Sequence, residues 1–352
     1  MQISTRNSAS ANDAKYDILK IILAIMVVAM HSEIYPMILY PWLRIAVPLF
    51  FMMTSYFTFQ KMQNAPLEMQ KQIMRRFILR NVRLYVFWFV VFMPIILPFR
   101  IANYFSSGII TGICRFLQDL LFGETFAASW YITASVIGMV IIWWLSVKVH
   151  KLAALVIAVV AFGVVTLWSS YQPILSEHPA VVQFMQWYIR HFGNPVFSFP
   201  VSLVWLLIGK GFAEKRNKTL PAWLLWIALI FSAAGLYLEW KAVQNLTGIY
   251  WSDSLFMLIP LCAALFSLVQ RIPPIRNIHT KHLRRASTVM YVSHFTMIPL
   301  IRYFGRRFLQ IDADFFVFAV TIGCCCVLYL AIERIQRWWP NSKISALLKN
   351  AY

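Results

Sequence analysis

Stretches of about 20 predominantly apolar residues, the length a helix needs to cross the hydrocarbon core of a bilayer, recur along the whole chain. Ten can be read: Tyr16–Tyr35, Trp42–Phe59, Leu79–Leu97, Ser129–Val147, Leu152–Trp168, Val196–Ala213, Leu220–Leu238, Tyr250–Val269, Ser287–Tyr303 and Phe315–Ile332. The weakest of these is Val196–Ala213, which is short before Gly209 and Lys210. A backbone facing lipid must satisfy its own hydrogen bonds, so each run is expected to be helical. Of the 352 residues, 60% are hydrophobic and 13% charged, against about 45–50% apolar and 25% charged in ordinary soluble domains. Disorder is excluded, because it needs low hydrophobicity with high charge. Five cysteines are too few for a disulfide scaffold. So apolar a chain is not a soluble nucleic-acid binder. The expected fold is an all-α integral membrane protein with about ten transmembrane helices and no room for a separate soluble domain.

The basic residues assign sides. There are 32 Lys and Arg against 13 Asp and Glu. With the N-terminus in the cytoplasm and ten alternating spans, the outer side holds Arg44, Arg100, Arg115, Arg190, Lys241, Arg302, Arg306 and Arg307. The other basic residues, three quarters of the total, fall on the inner side, and every inner segment is basic. Such asymmetry is the positive-inside pattern. It predicts both termini in the cytoplasm of a multi-pass membrane protein. Residues 1–15 read as a polar cytoplasmic tail, 16–335 as the membrane domain and 336–352 as a short cytoplasmic tail. The polar start lacks the short apolar core and small-residue cleavage site of a signal peptide, so the first span is expected to be retained. Tyr104–Phe122 places Ile109, Ile110, Ile113, Phe116, Leu117, Leu120 and Leu121 on one face, with Arg115, Gln118 and Asp119 opposite. That pattern predicts an amphipathic helix on the outer surface, and Val181–Phe192 reads as a second. No Cys/His spacing suits a metal, and no phosphate-binding glycine loop or nucleophile elbow is present. ATP-driven transport by this chain alone is disfavoured.

Ionisable residues within spans are costly and mark function by default. In the first span, Lys20 and His31 are eleven residues apart, just over three turns and about 16–17 Å of rise. They therefore share a face, Lys20 near the inner surface and His31 toward the outer. The plain alternative is that Lys20 snorkels to headgroups, pairing with Asp17, while His31 bonds between helices. Arg44 sits near the outer end of the second span, where an interfacial anchor beside Trp42 is the plain alternative. Arg76, Arg80 and Arg83 share a face leading into the third span. They serve either as inner anchors or, through their forked guanidinium groups, as phosphate partners. Ser287, Tyr291 and His294 form a polar stripe on the ninth span, which must face protein or water. Spacing alone does not separate catalysis there from helix–helix bonding.

The sequence Lys20–x10–His31 resembles the Arg/Lys-x10-His signature of the bacterial membrane acyltransferase family 3, whose members acylate envelope glycans. Arg44-Ile-Ala-Val-Pro-Leu-Phe-Phe-Met-Met-Thr-Ser-Tyr-Phe57 is similar to its second-span pattern. Arg80-Asn-Val-Arg83 resembles its Arg-x-x-Arg motif, Trp130-Tyr131 its Trp-Phe pair, and Ser287-x3-Tyr291-x2-His294 its late motif. The matches run in family order from about residue 16 to 335. Three positions depart. Lys20 stands where Arg is commoner, Thr54-Ser55 replaces Ser-Gly, and Thr288-Val289-Met290 replaces Leu-Gly-Ile. The hydrolase-like domain that some members append is not expected here.

The resemblance implies acyl-CoA, usually acetyl-CoA, as cytoplasmic donor, held by Lys20, Arg80 and Arg83. It makes His31 the base, with Arg44, Tyr291 and His294 completing the catalytic group. No metal is implied. The acceptor would be an envelope glycan or a lipid-linked oligosaccharide, with membrane lipids around the protein and no nucleic acid. Two other classes fit ten spans and basic loops: a lipid-linked glycan flippase or secondary transporter, and a non-catalytic export component. A transporter would favour paired helix breaks in two related halves. Pro94 and Pro98 in the third span have no such counterpart.

Overall fold

The computed structural model describes residues 13–106, 108–123, 125–126, 128–214, 220–275 and 279–352. Residues 1–12 of the expected tail, and Lys215, Arg216, Lys218 and Arg276 of the expected inner loops, lie outside the described residues. Each expected span overlaps at least one of the fifteen α-helices that the described residues form. These are α1 (Ala14–Ser32), α2 (Tyr40–Leu43), α3 (Ala46–Met62), α4 (Leu67–Phe105), α5 (Ile109–Phe122), α6 (Ser129–Lys148), α7 (Lys151–Ser170), α8 (Gln172–Leu175), α9 (Pro179–Phe192), α10 (Phe199–Glu214), α11 (Ala222–Thr247), α12 (Leu258–Arg271), α13 (Lys281–Phe304), α14 (Asp314–Trp338) and α15 (Lys343–Leu348). No β-strand occurs among the described residues.

By length and composition, six segments are fit to cross a membrane: Met37–Met62, Leu67–Pro98, Ser129–Lys148, Lys151–Ser170, Ala222–Thr247 and Asp314–Trp338. The segment Pro179–Phe197 and α10, bent by 45°, add a seventh if they form one broken span. The other three of the ten expected spans are α1, α12 and α13. Helix α12 is short, at 14 residues. Helices α1 and α13 carry Lys15, Asp17, Lys20 and His31, and Lys281, Arg284, Arg285, His294 and Arg302. Thus the helices that hold the polar stripes are also those least like simple lipid-facing spans.

Several boundaries differ from expectation for local reasons. Helix α1 starts where the Asp13 side chain accepts from the Lys15 amide, and stops at Ser32 because Glu33 takes a left-handed conformation at φ 64°. Glu33, Ile34 and Tyr35, read as part of the first span, therefore leave the helix. The third span is one portion of a 39-residue helix that keeps both Pro94 and Pro98 inside it. Tyr250–Met257 precedes α12 as a non-helical segment, and the Glu239 carboxylate accepts from the amides of Phe256 and Met257 at 2.8 Å each. Both expected amphipathic segments are helical, as α5 and α9. They are joined where Gln118 donates to the Ile189 carbonyl at 2.7 Å. Residues 336–352 pack back on the bundle. The Trp88 indole donates to the Ala351 carbonyl at 3.1 Å, and Tyr352 donates to Glu333 at 3.0 Å.

Helix α3 lies against α10, and α1 against α13 and α14. The α3–α10 approach is close because Gly209 has no side chain: a Cβ there would lie 2.3 Å from the Met52 carbonyl oxygen. The Ser55 hydroxyl bridges the same seam, donating to the Leu206 carbonyl at 2.5 Å. The side chain that Ser55 adds relative to the family pattern is thus accommodated, and α10 supplies the small residue. Membrane helices pack on such small residues and polar bridges rather than on hydrophobic exclusion. Gly209→Ala is expected to destabilise the protein by about 1–3 kcal/mol through overpacking. Gly211→Ala, where a Cβ meets nothing within 4 Å, is expected to be neutral or mildly stabilising. Thermal unfolding in detergent compares the two directly.

Candidate active site

The shared face of α1 brings His31 against α13. The His31 and His294 rings stand 5.2 Å apart at 32°, and Phe295 closes on His31 edge-on at 4.7 Å. His294 is 2% exposed. Its Nδ1 lies 2.7 Å from the Tyr291 carbonyl oxygen. A carbonyl only accepts, so Nδ1 carries the hydrogen and Nε2 presents the lone pair. That Nε2 is buried and has no hydrogen-bond partner among the described residues. The backbone one turn earlier in α13 therefore fixes both ring and tautomer, and leaves a basic nitrogen free beside His31.

The two histidines line a cavity of about 490 Å³, within the range of small-molecule sites, about 300–1,000 Å³. Tyr291 lines it beside the histidines. Trp130, Trp205, Phe197 and Trp251 form walls, and Arg44, Asp253 and Glu33 line it as well. Arg44 lines the cavity and has its partners within the protein. Its Nη1 pairs with Asp253 at 2.8 Å, its Nη2 donates to the Tyr40 hydroxyl, and its guanidinium lies over the Tyr40 ring at 4.6 Å. Tyr40 in turn donates to the Ser252 carbonyl at 3.3 Å.

A second polar cluster lies at the other end of α1. Lys20 is in electrostatic contact with Asp17, Arg80, Arg284 and Lys61, and its ammonium stands 5.3 Å over the Phe57 ring. Arg284 reaches within 3.9 Å of Asp17, which also accepts from Thr280 at 2.9 Å. Three cations thus surround Lys20 with one carboxylate close by. Arg80 is exposed and lies in the field of Tyr131. Arg83 is also exposed, and it makes no hydrogen bond or ion pair among the described residues. Lys61 and Arg284, rather than Arg83, complete the group around Lys20 and Arg80.

Aromatic rings separate the two clusters. Tyr131, near Arg80, packs on Tyr291 at 5.1 Å and on Phe51 at 4.5 Å, and its hydroxyl is 3.2 Å from Thr54 Oγ1. Phe50 closes on Tyr291 at 5.5 Å. Tyr291 and Phe51 also line the histidine cavity. The motif residues Thr54, Tyr131 and Tyr291 therefore meet at the junction of the two clusters.

Of the residues singled out in the sequence, His31, His294, Tyr291 and Arg44 share the cavity, while Lys20 and Arg80 share the basic cluster. Asp253 and Tyr40, which hold Arg44, were missed, as were Lys61 and Arg284 beside Lys20. Arg284 lies three residues before Ser287 on the polar face of α13, a signal that was available. Asp253 lies in an irregular segment without periodicity, so nothing in its surroundings marked it.

An all-helical chain with several membrane-length helices, a histidine pair lining a cavity and a basic cluster toward the opposite end of one helix defines a multi-pass membrane protein with an internal polar site. Residues 13–330 match the acyltransferase domain model of acyltransferase family 3, and the chain belongs to that family. Among curated relatives, it is 22% identical over 343 residues to an amino-acid racemase of Enterococcus faecalis, covering 93% of this chain and 47% of that protein. It is 24% identical over 350 residues to a serine/alanine racemase of Enterococcus gallinarum, covering 95% of this chain and 48% of that protein. The chain spans about half the length of the curated relatives it matches. No solved structure matches it.

The Arg44–Asp253 pair is partly exposed, at 16% and 34% for the two side chains, so its coupling is modest. A double-mutant cycle with Arg44→Ala and Asp253→Ala is expected to give about 1 kcal/mol or less, measured by thermal unfolding at matched salt.

Proposed function

We propose that the protein is an integral-membrane O-acyltransferase that moves an acyl group, most simply acetyl, from cytoplasmic acyl-CoA to a hydroxyl of an envelope glycan or lipid-linked oligosaccharide in the bacterial inner membrane. The observation that carries this reading is the pairing of a free imidazole site with a basic cluster at opposite ends of one helix, joined through Tyr131 and Tyr291. The orientation proposed has the Lys20 cluster at the cytoplasmic face, both termini inside and up to ten helices traversing. Residues expected on one side do meet: Lys20, Lys61, Arg80 and Arg284 at one end, and Ser32 with Arg302 and Asp314 at the other. The racemase names belong to proteins about half of whose length lies outside the match, and this reading rests on the matched domain.

In the proposed reaction, Lys20, Arg80, Lys61 and Arg284 hold the phosphates of the donor by charge-assisted hydrogen bonds. The narrow acyl-bearing arm passes the Tyr131–Tyr291 junction. His31 takes the proton from the acceptor hydroxyl as its oxygen bonds to the thioester carbonyl carbon. The carbon–sulfur bond then breaks, and the thiolate leaves toward the basic end. His294, with Nδ1 fixed on the backbone, offers Nε2 to the same proton. Tyr291 stabilises charge on the carbonyl oxygen, and Arg44 positions the acceptor.

Mass spectrometry of glycans from cells with the wild type, with His31→Ala or without the protein tests the reaction. The acyl increment is expected with the wild type and to fall about 10²–10⁴-fold in rate with His31→Ala. An increment that persists with stably expressed His31→Ala refutes the base assignment, and translocation of an unmodified glycan would favour a transporter. In membranes, Lys20→Ala with Arg80→Ala is expected to raise the KM for acetyl-CoA by about tenfold to a hundredfold. Arg83→Ala is expected to have a smaller effect.

A further inference from the structure

The cavity also holds polar groups that the proton transfer does not use. Arg44 Nε and the Tyr35 hydroxyl are buried there without a hydrogen-bond partner among the described residues, as is His294 Nε2. All three residues line the same space. Buried polar atoms are almost always paired, so three orphans around one cavity point to an occupant rich in hydrogen-bonding groups. The walls, in contrast, are aromatic. Tyr35 packs on Tyr40 at 5.9 Å, and Tyr40 meets the exposed Trp251 edge-on at 5.3 Å. A molecule with apolar faces and a rim of hydroxyls fits both properties, which is the surface of a pyranose ring.

The charges narrow the choice. The cation here, Arg44, is already matched by Asp253 at 2.8 Å. Glu33, exposed at the end of α1, makes no ion pair among the described residues. An anionic ligand would therefore meet a neutralised arginine and a further carboxylate. Like charges so placed work by exclusion.

We propose that the part of the cavity around Arg44 and Asp253 is the acceptor subsite and takes an uncharged sugar, with Asp253 setting that selectivity by neutralising Arg44. The word acceptor rests on the acyltransferase reading; the sugar site itself does not. Trp251 supplies the stacking face, while the Tyr35 hydroxyl and Arg44 Nε meet ring hydroxyls. Asp253 is thus a specificity-determining residue.

Ligand-observed saturation-transfer NMR on the full chain in nanodiscs tests this, with methyl β-D-glucopyranoside and methyl β-D-glucuronide as probes. The wild type is expected to bind the neutral glycoside at least about tenfold more tightly than the glucuronide, and Trp251→Ala to lose that binding. Asp253→Asn leaves Arg44 uncompensated and is expected to gain glucuronide binding by about tenfold. This gain cannot come from misfolding. Equal binding of the two sugars by the wild type, neutral-sugar binding unchanged in Trp251→Ala, or no gain in Asp253→Asn overturns the proposal. Thiol release from acetyl-CoA is measured on the same samples. Sugar selectivity without thiol release refutes the acyltransferase reading and leaves the site standing. Thiol release without selective sugar binding does the reverse.

Discussion

A charged or hydrogen-bonding side chain withdrawn from water must be met by a partner in the protein, and α1 carries two such groups on one face, Lys20 and His31. The surrounding helices are arranged to meet both. Helix α13 lies along α1 and answers at two levels, with Arg284 and Asp17 in contact near Lys20 and His294 beside His31. Helix α14 covers the same pair from the other side, where Ser293 meets Cys325 at 3.3 Å. At the far end, Arg302 donates to the Ser32 carbonyl at 3.2 Å while paired with Asp314 at 2.8 Å. The last turn of α1, which bears His31, is thereby tied to the connection that leads into α14.

The other helices shape the space in front of this pair. The turn between α2 and α3 delivers Arg44 to it, and α3 delivers Phe50, Phe51 and Thr54 and holds its own position through the close seam with α10. Helix α9 leads through Asn194, whose side chain accepts from the Val196 amide at 3.1 Å, into the wall residues Val196 and Phe197. The amphipathic helices α5 and α9 are therefore continuous with one wall of the cavity. Asp253 comes from the irregular segment before α12, which the Glu239 carboxylate pins from α11. A site assembled in this way from helices and irregular segments far apart in the chain has its polar groups set by backbone contacts several residues away from the chemistry.

Much of this was legible in the sequence because bilayer physics is strict. The runs such as Ser129–Val147 and Leu152–Trp168 coincide closely with α6 and α7, since a helix is what a long apolar segment can form there. The eleven-residue spacing of Lys20 and His31 did place them on one face. Boundaries that depend on single backbone conformations were not legible: the left-handed Glu33 that ends α1, and the loop before α12 that a distant glutamate caps. Pairings between segments were equally hidden. The anchor alternative for Arg44 stayed open because its partner, Asp253, lies more than 200 positions away on a loop with no period of its own. The basic run 75–83 suggested that Arg80 and Arg83 act together. Helical geometry puts both on the polar side, but only Arg80 reaches the group around Lys20.

The rings between the two polar ends have an electrical consequence. A membrane that stores a potential tolerates no continuous water column, and a helix with a lysine at one end and a histidine at the other would invite one. Phe50, Phe51, Tyr131 and Tyr291 stand across that path. A hydrated ion would have to shed its water to pass between such rings. The same packing that links the two clusters therefore also sets aromatic rings between them.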